Sequence, residues 1–552
     1  MMIEKLPPEI FDNVISLYRR WHKTNNYPWG TGTMLRPTLP ALATVSRKFQ
    51  DAVERHTFAT LLVDIDFEDF ERIMSFNRRS YVRHITFVVR VISREDLREQ
   101  GDRELGYDTY RDREVRNRAF TDSLRRVWDF VHKLDASQPV ALVLMVATNP
   151  DGPTGKIIPG KIVDIFSLLD LTTDAGNFPA LPNVRTFRIY HYRSYYLSPR
   201  AFLHLTSGMP NLEGVCWPLL WARLGWGFYY SMDKIYRDEM VRSSRSLRLP
   251  PSTKKFIFNL KSPLCFKDGQ EIPEFIEYGT PHPVSCAVRA LTSECTKIWL
   301  TGPFDASLFD PPSSVSGVEQ RPCWQNVTML CVKLDQYSPD GTWLYRQQER
   351  RIPLRLPEGL VNCTQLPPAY TNTQESYTKA EEYYTDCMKR NLFLHHDFDN
   401  GSAYLSVGEV DDDDDDNDDE TMLSGLDNGK LNNMIVAFAR CCMRMPALQV
   451  AAFSLPPQEE DRNTPFVADY ELFQVICIAA HWDCTWDSKM GNPSSTCKIY
   501  LYVDDWQPTS ETMKELEKIG IEKYGQPSMI CINTSSRWRY QSGWYQSCFT
   551  LP

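Results

Sequence analysis

The sequence predicts a mixed α/β fold (α/β or α+β) in which short helices precede a long region of alternating strands and helices. Three observations predict it. Apolar residues recur at helical spacing within about the first 60 positions. Later segments of roughly ten residues are rich in β-branched side chains. Helical segments separate these strands, which is the pattern of a parallel sheet.

The N-terminal segment predicts three helices. LPPEIFDNVISLYRRW, residues 6–21, forms the first because its apolar residues share one helical face. A loop rich in Gly, Pro and Asn, residues 22–37, then interrupts the pattern. A short second helix follows in 39–45, and a third, capped by Ser46, ends near Phe58. The apolar residues of the first helix are Ile10, Phe11, Val14, Ile15 and Tyr18.

Strands and helices alternate after residue 58. Residues 81–92, YVRHITFVVRVI, predict a strand, and residues 115–134 predict an amphipathic helix. The continuous apolar run PVALVLMVAT, residues 139–148, is typical of a buried parallel strand. Residues 370–392, rich in Tyr and Glu, predict a further helix. We therefore expect a long α/β region over 59–400.

A loose repeat runs through this region. A helix is followed by Leu or Met, Pro, any residue, then Val or Leu, and a strand begins; the motif starts at Leu181, Met209 and Met445. One strand and one helix every 20–29 residues or so is typical of a leucine-rich solenoid. The copies are irregular and lack an Asn ladder. The sequence leaves two architectures open, an irregular leucine-rich-repeat-like α/β solenoid and an ordinary mixed α/β domain.

The negative charge is concentrated in one segment. The net charge is −10, and ten acidic residues lie between Glu409 and Glu420, so the remainder of the chain is balanced. Like charges at this density repel each other, which predicts a disordered acidic loop over 401–428. Residues 429–552 then continue the α/β region. No basic stripe of the kind that binds nucleic acid occurs, so we expect no nucleic-acid partner.

The sequence contains no motif that predicts catalysis, a cofactor or a metal site. PDGPTGKI, residues 150–157, lacks the first Gly and the final Ser or Thr of a phosphate-binding loop. LHHDFDN, residues 394–400, places two histidines side by side, where one metal ion rarely binds both. Without a signal-like N-terminus or a run of 18 apolar residues, we expect no membrane span and a cytoplasmic or nuclear protein. The 15 cysteines are then expected to be thiols.

The N-terminal segment resembles an F-box. That motif reads Leu-Pro-x-Glu-Ile, then apolar helical positions, then Leu-x-x-Val-[Ser/Cys]-[Arg/Lys]-x-[aromatic]. Two differences stand out, because Phe49 replaces the usual Trp and the loop between the first two helices is longer. The layout is similar to that of fungal F-box proteins. The matching residues are Leu6, Pro7, Glu9, Ile10, Leu42, Val45, Ser46, Arg47 and Phe49.

The resemblance implies a non-enzymatic adaptor. F-box proteins dock on the Skp adaptor of cullin–RING ubiquitin ligases, and the rest of the chain binds a protein substrate, here unknown. Three alternatives stay open: an interaction or scaffold protein that delivers no substrate for ubiquitination, an N-terminal segment that only caps the α/β body, and an enzyme. The enzyme would need a cleft with convergent titratable groups, for which the sequence shows no candidate. The residues expected to contact Skp are Leu6, Pro7, Glu9, Ile10, Val14, Leu42, Val45, Ser46 and Phe49.

Overall fold

The structure is a computed structural model of the 552-residue chain, and it shows a mixed α/β protein built on one mostly parallel sheet. The sheet has twelve strands in the described part of the chain. The residues described are 7–25, 43–63, 67–74, 76–91, 109–148, 168–172, 178–191, 197–220, 226–261, 281–310, 324–335, 337–340, 344, 369–371, 373–378, 426–455, 473–480, 496–503 and 506–533.

Two helices precede the sheet. Helix α1 spans Pro8–Asn25 and helix α2 spans Arg47–Phe58. The Ser46 side chain accepts a hydrogen bond from the backbone N–H of Phe49 at 3.3 Å, so the predicted cap is confirmed. Of the predicted second helix, the described residues show one helical position, 43, and a turn at 44–45.

The strands are ordered in the sheet as they occur in the chain. Strands β1 to β9 are parallel, β10 runs antiparallel to both β9 and β11, and β11 and β12 are parallel. The strands are β1 Thr60–Val63, β2 His84–Val91, β3 Val140–Thr148, β4 Val184–His191, β5 Gly214–Leu220, β6 Lys255–Lys261, β7 Lys297–Gly302, β8 Met329–Leu334, β9 Val450–Leu455, β10 Phe473–Ile478, β11 Lys498–Val503 and β12 Met529–Asn533.

The described connecting helices pack on one face of this sheet. Crossovers between parallel strands are right-handed, so strands added always on the same side place their helices on the same face. Accordingly, the main hydrophobic cluster joins helix residues such as Trp128 and Leu516 to alternate strand residues such as Phe187 and Phe258. The helices are α3 Phe67–Ile73, α4 Phe76–Arg79, α5 Tyr110–His132, α6 Pro199–Ser207, α7 Trp226–Ser246, α8 Pro283–Leu291, α9 Asn428–Arg444 and α10 Ser510–Tyr524, with a 3₁₀ turn at Ala306–Leu308.

The other face carries no helix residue in its cluster. There Met329, Ala452, Ile476 and Tyr500 pack together, and they alternate with the residues that point into the main core. We call this surface the helix-free face of the described sheet. The sheet is therefore not sandwiched between two helix layers in the described region.

A recurring turn starts eight successive strands, β2 to β9. In each, a buried residue donates its backbone N–H to the carbonyl three residues earlier, at 2.9–3.3 Å. The turn residue lies two positions before the strand residue of one paired row: His84, Thr186, Gly214, Lys255, Lys297, Met329 and Val450. In β3 the offset is three, from Gln138 to Ala141, because the register with β4 shifts between Val140, which pairs with Val184, and Ala141. The donors are Val82, Gln138, Val184, Leu212, Thr253, Cys295, Val327 and Leu448.

The predicted strands at 81–92 and 139–148 are confirmed as β2 and β3, and each Leu/Met-Pro motif precedes a strand. The spacing between strands is as irregular as the sequence indicated, and it does not keep the period of about 20–29 residues that is typical of a leucine-rich solenoid. Equivalent positions are 28 residues apart from Thr186 to Gly214 but 121 apart from Met329 to Val450. The reason is that the connections differ in length while the turn and the strand pairing are retained.

The segments around the acidic run are only partly described. Residues 401–425, including all ten clustered acidic residues, lie outside the described residues, as do His395 and His396. Within the predicted loop, Leu426 is buried and the Asp427 side chain caps α9 by accepting from the Lys430 N–H. Of the predicted helix at 370–392, residues 374–378 are helical and 379–392 are outside the description.

A buried carboxylate pair predicts a pH dependence of stability. Asp170 accepts from Ser198 Oγ at 3.0 Å and from Arg200 Nη2 at 2.5 Å. Nearby Glu239 lies 3.9 Å from Arg200 Nε. Burial, together with the charge of Asp170, raises the pKa of Glu239 to about 7. The folded state therefore binds this proton more tightly, and the stability that the proton contributes is lost as pH rises from about 4.5 to 7.

Replacing Glu239 by Gln should remove this loss. We expect Glu239→Gln to raise the free energy of unfolding at pH 8 by about 1–3 kcal/mol and to change it little at pH 4.5. Urea unfolding at both pH values checks this. The control is Glu213→Gln, whose side chain is 60% exposed; a pH dependence that E239Q leaves unchanged would contradict the assignment.

Within the described ranges, no helix is both long and apolar enough to span a lipid bilayer.

Candidate protein-binding surface

The two N-terminal helices form a small module with its own core. Phe11 and Ile15 of α1 pack against Ala52 and Val53 of α2, and all four are buried. The ring of Phe49 meets that of Phe11 edge-on, with centroids 4.8 Å apart. This cluster is separate from the main core of the sheet. The two helices of the module therefore share a hydrophobic core of their own.

Ion pairs close the polar side of the module. Arg55 of α2 lies 3.2 Å from Asp12 of α1 and 3.1 Å from Asp51. His56 Nε2 lies 3.6 Å from Asp12. Such half-exposed pairs contribute at most about 1 kcal/mol each, so they orient α2 against α1 more than they stabilise it.

Polar contacts join α2 to the sheet. Arg78 Nη2 lies 3.0 Å from Glu54 Oε1, and the guanidinium stacks over Phe58 at 4.9 Å. The Tyr81 hydroxyl donates a hydrogen bond to Asp51. That bond, with burial and the carboxylate charge, raises the pKa of Tyr81 to about 12. These polar groups, together with Phe58, which packs against the main core, hold the module at the β1 end of the sheet.

The module exposes four apolar side chains, three of them in a row on α1. Ile10, Val14 and Leu17 of α1 follow one another at spacings of four and three, and are 42%, 43% and 61% exposed. Val45, just before α2, is 54% exposed. We call these four residues the apolar stripe. These four residues are not part of the module's core, to which Phe11, Ile15 and Phe49 contribute.

Of the nine residues predicted to contact Skp, five are exposed, and three of these, Ile10, Val14 and Val45, belong to the apolar stripe. Pro7, Glu9, Ile10, Val14 and Val45 are exposed, whereas Ser46 serves as the helix cap and Phe49 is half-buried in the module core. Leu6 and Leu42 lie outside the described residues. Leu17 was missed by the sequence prediction, although its i+3 spacing from Val14 is a usable signal.

Phe49 is expected to act through the module's stability. We expect Phe49→Ala to destabilise the module by about 1–3 kcal/mol, because loss of the half-buried ring removes its packing against Phe11. Hydrogen exchange at the α1 and α2 amides measures the effect. Phe49→Trp should preserve protection, and Val45→Ala, an exposed control, should change it little. Equal protection in F49A and V45A would contradict the packing role.

The described residues bring one Ser–His pair and an Asp together, at the start of α8. His282 Nδ1 lies 3.0 Å from Ser285 Oγ, and Nε2 lies 2.7 Å from Arg237 Nη1. The His282 backbone N–H donates to Asp305 Oδ2 at 2.9 Å. Burial, then the Arg237 charge, holds the pKa of His282 well below its usual value. Since His282 and Ser285 have no exposed surface, this cluster fixes the helix start and gives a substrate no access.

A group of thiols lies between β10, β11 and α9. Cys477 Sγ and Cys497 Sγ are 3.7 Å apart and lie near Lys523 and Tyr524, with no space between them for a ligand. Hydrogen bonding between thiols and burial raise the pKa of Cys477 and Cys497, so these thiols are protonated and poor nucleophiles. Among the described side chains, no three His, Cys, Asp or Glu are arranged to hold a metal ion.

Comparison of the chain with models of protein families, with curated proteins and with solved structures finds no match.

Proposed function

We propose that the chain is a substrate-receptor subunit of a Skp–cullin–F-box ubiquitin ligase, which docks on Skp through α1 and α2. The observation that carries this proposal is the apolar stripe on a module whose interior is already complete. Ile10, Val14, Leu17 and Val45 are each 42–61% exposed. Burying such side chains against a partner helix gains roughly 1–2 kcal/mol each, which is the helix-in-groove mode of recognition.

The α/β body is then the receptor. We propose that it is an irregular leucine-rich-repeat-like solenoid, with connections of unequal length. The recurring buried turn before β2 to β9 and the chain-ordered strands support this architecture. Cytoplasm and nucleus, where such ligases act, keep cysteines reduced, and the described cysteines are free thiols.

Reconstitution tests the proposal. Co-expression of the full chain with a Skp adaptor should yield a 1:1 complex by size-exclusion chromatography, and adding cullin and a RING protein should extend it. Ubiquitin chains should form on proteins that co-purify with the chain. A complex without ubiquitin transfer would favour the non-delivering scaffold, and failure to bind Skp would refute the docking proposal.

A further inference from the structure

Strand pairing aligns the side chains of the helix-free face into rows. The first row crosses the start of the parallel strands, and the middle row lies two residues further on. The first row contains Thr60, His84, Ala141, Thr186, Gly214, Lys255, Lys297, Met329, Val450, Ile478, Lys498 and Met529. The middle row contains Leu62, Thr86, Val143, Arg188, Cys216, Ile257, Trp299, Cys331, Ala452, Ile476, Tyr500 and Cys531.

Every charged side chain in these two rows is basic. Arg188, Lys255, Lys297 and Lys498 are present, with His84, and neither row contains Asp or Glu. The whole chain, by contrast, has 71 acidic and 61 basic residues. These two rows of the described sheet therefore carry positive charge, whereas the net charge of the chain is negative.

The centre of this surface is a pair of lysines directly opposite each other. Lys255 of β6 is in register with Lys297 of β7, and both are half-buried. Like charges on neighbouring strands repel, since strands are only about 4.8 Å apart. No acidic group of the described residues pairs with either lysine. Two neighbouring lysines destabilise the sheet locally, and such locally unfavourable arrangements are expected at functional surfaces.

The neighbouring positions are apolar and accessible. Ile257 and Trp299 follow the two lysines in the middle row and are partly exposed. Further along the same row Cys331, Ala452 and Ile476 are covered, with 6% exposure or less. The accessible part of the helix-free face therefore combines two cations with an aliphatic and an aromatic side chain across β6 and β7.

We propose that this surface, Lys255, Lys297, Ile257 and Trp299, binds an Asp- and Glu-rich polypeptide segment of the protein that the receptor delivers. This inference rests on the proposed function only in identifying the ligand as a protein that the receptor delivers; the binding surface itself does not depend on it. Complementary charge selects an acidic partner. A polypeptide fits better than a nucleic acid, because the chain's net charge of −10 opposes long polyanions while a short segment meets only the local lysines.

The test uses the full chain and a fluorescein-labelled dodecapeptide of alternating Asp and Leu, with a Lys–Leu peptide as the comparison. We expect fluorescence anisotropy to show binding of the acidic peptide alone, weakening with added NaCl. Lys255→Glu/Lys297→Glu should reduce the affinity on the order of tenfold or more. The matched control is Lys234→Glu/Lys514→Glu, two exposed lysines on α7 and α10, which should change it less than about twofold.

A second variant separates binding from folding. Lys255→Gln/Lys297→Gln removes the repulsion, so we expect an unchanged or higher Tm together with lost peptide binding. Failure of the wild-type chain to bind, or equal losses in both Glu variants, would overturn the proposal. So would binding that requires replacement of Asp411–Asp416 by Ser, because the chain's own acidic segment would then be the occupant. Skp capture is measured in parallel and is expected to stay unchanged in all variants, so failure here is distinct from failure of the docking proposal.

Discussion

Replacing both Ile10 and Val14 by Glu is expected to abolish capture of Skp. Both side chains are already more than 40% exposed in the free chain, so we expect the double substitution to lower the free energy of unfolding only slightly. In the complex, two lost apolar contacts and two carboxylates buried without partners together weaken binding by at least about 100-fold. Pull-down and biolayer interferometry against purified Skp measure this effect.

The matched control is Ile521→Glu on α10. Ile521 is 46% exposed, close to the 42% of Ile10, but it lies on the last helix, α10, and not in the N-terminal module. We expect it to bind Skp as the wild type does. The Leu6→Ala/Pro7→Ala double variant should also lose Skp if the resemblance at the start of the motif holds. Undiminished binding by I10E/V14E, with its circular dichroism unchanged, would refute the stripe as the docking surface.

The distribution of apolar residues on α1 shows what helical spacing predicts and what it leaves open. Five residues at helical spacing predicted one apolar face. In the structure that face divides, since Phe11 and Ile15 point into the module while Ile10 and Val14 stay exposed. The division depends on where α2 packs, and α2 is brought there by a turn and ion pairs between positions distant in sequence. Spacing alone therefore predicted the helix but not its binding side.

The basic rows could not be read from the sequence for a related reason. Lys255 and Lys297 are separated by 42 positions, and only the register of β6 and β7 makes them neighbours. Strands such as β2 and β3 could be predicted from the sequence, because alternation and β-branched residues are local signals. Their register depends on connections whose lengths range widely. Net charge and local composition therefore gave no sign of a basic surface, although strand pairing brings Lys255 and Lys297 together on one.

The cap of α10 shows the limit of local signals at element ends. The sequence SETMKELEKIGIEKYG, residues 510–525, predicts a helix with Ser510 as its N-cap. In the structure the side chain of Thr509 instead accepts the N–H of Thr512 at 3.1 Å. Both residues are hydroxyl-bearing, so propensity does not separate them. Asn432 of α9 decides between them, because its Oδ1 accepts the Thr509 N–H at 3.0 Å. A long-range contact fixes where the helix begins.

Separate cores predict that the receptor can be unfolded without loss of docking. Trp217 of β5 is fully buried, and its ring stacks on Phe202 at 3.8 Å and meets Phe258 edge-on at 5.3 Å. Trp217→Ala should lower the free energy of unfolding of the sheet by about 3–5 kcal/mol, since such a cavity cannot collapse in a close-packed interior. Urea unfolding followed by circular dichroism measures the loss.

Trp217→Phe is the matched control. It keeps an aromatic ring on Phe202 and removes an indole N–H that has no hydrogen-bond partner among the described residues, so we expect a loss of about 1–2 kcal/mol or less. In W217A, Skp capture should persist at urea concentrations where the sheet has unfolded, because Phe11, Ile15, Ala52 and Val53 form a core of their own. Capture that instead disappears together with the sheet would mean that α1 and α2 depend on the body, as the capping interpretation of residues 6–58 requires.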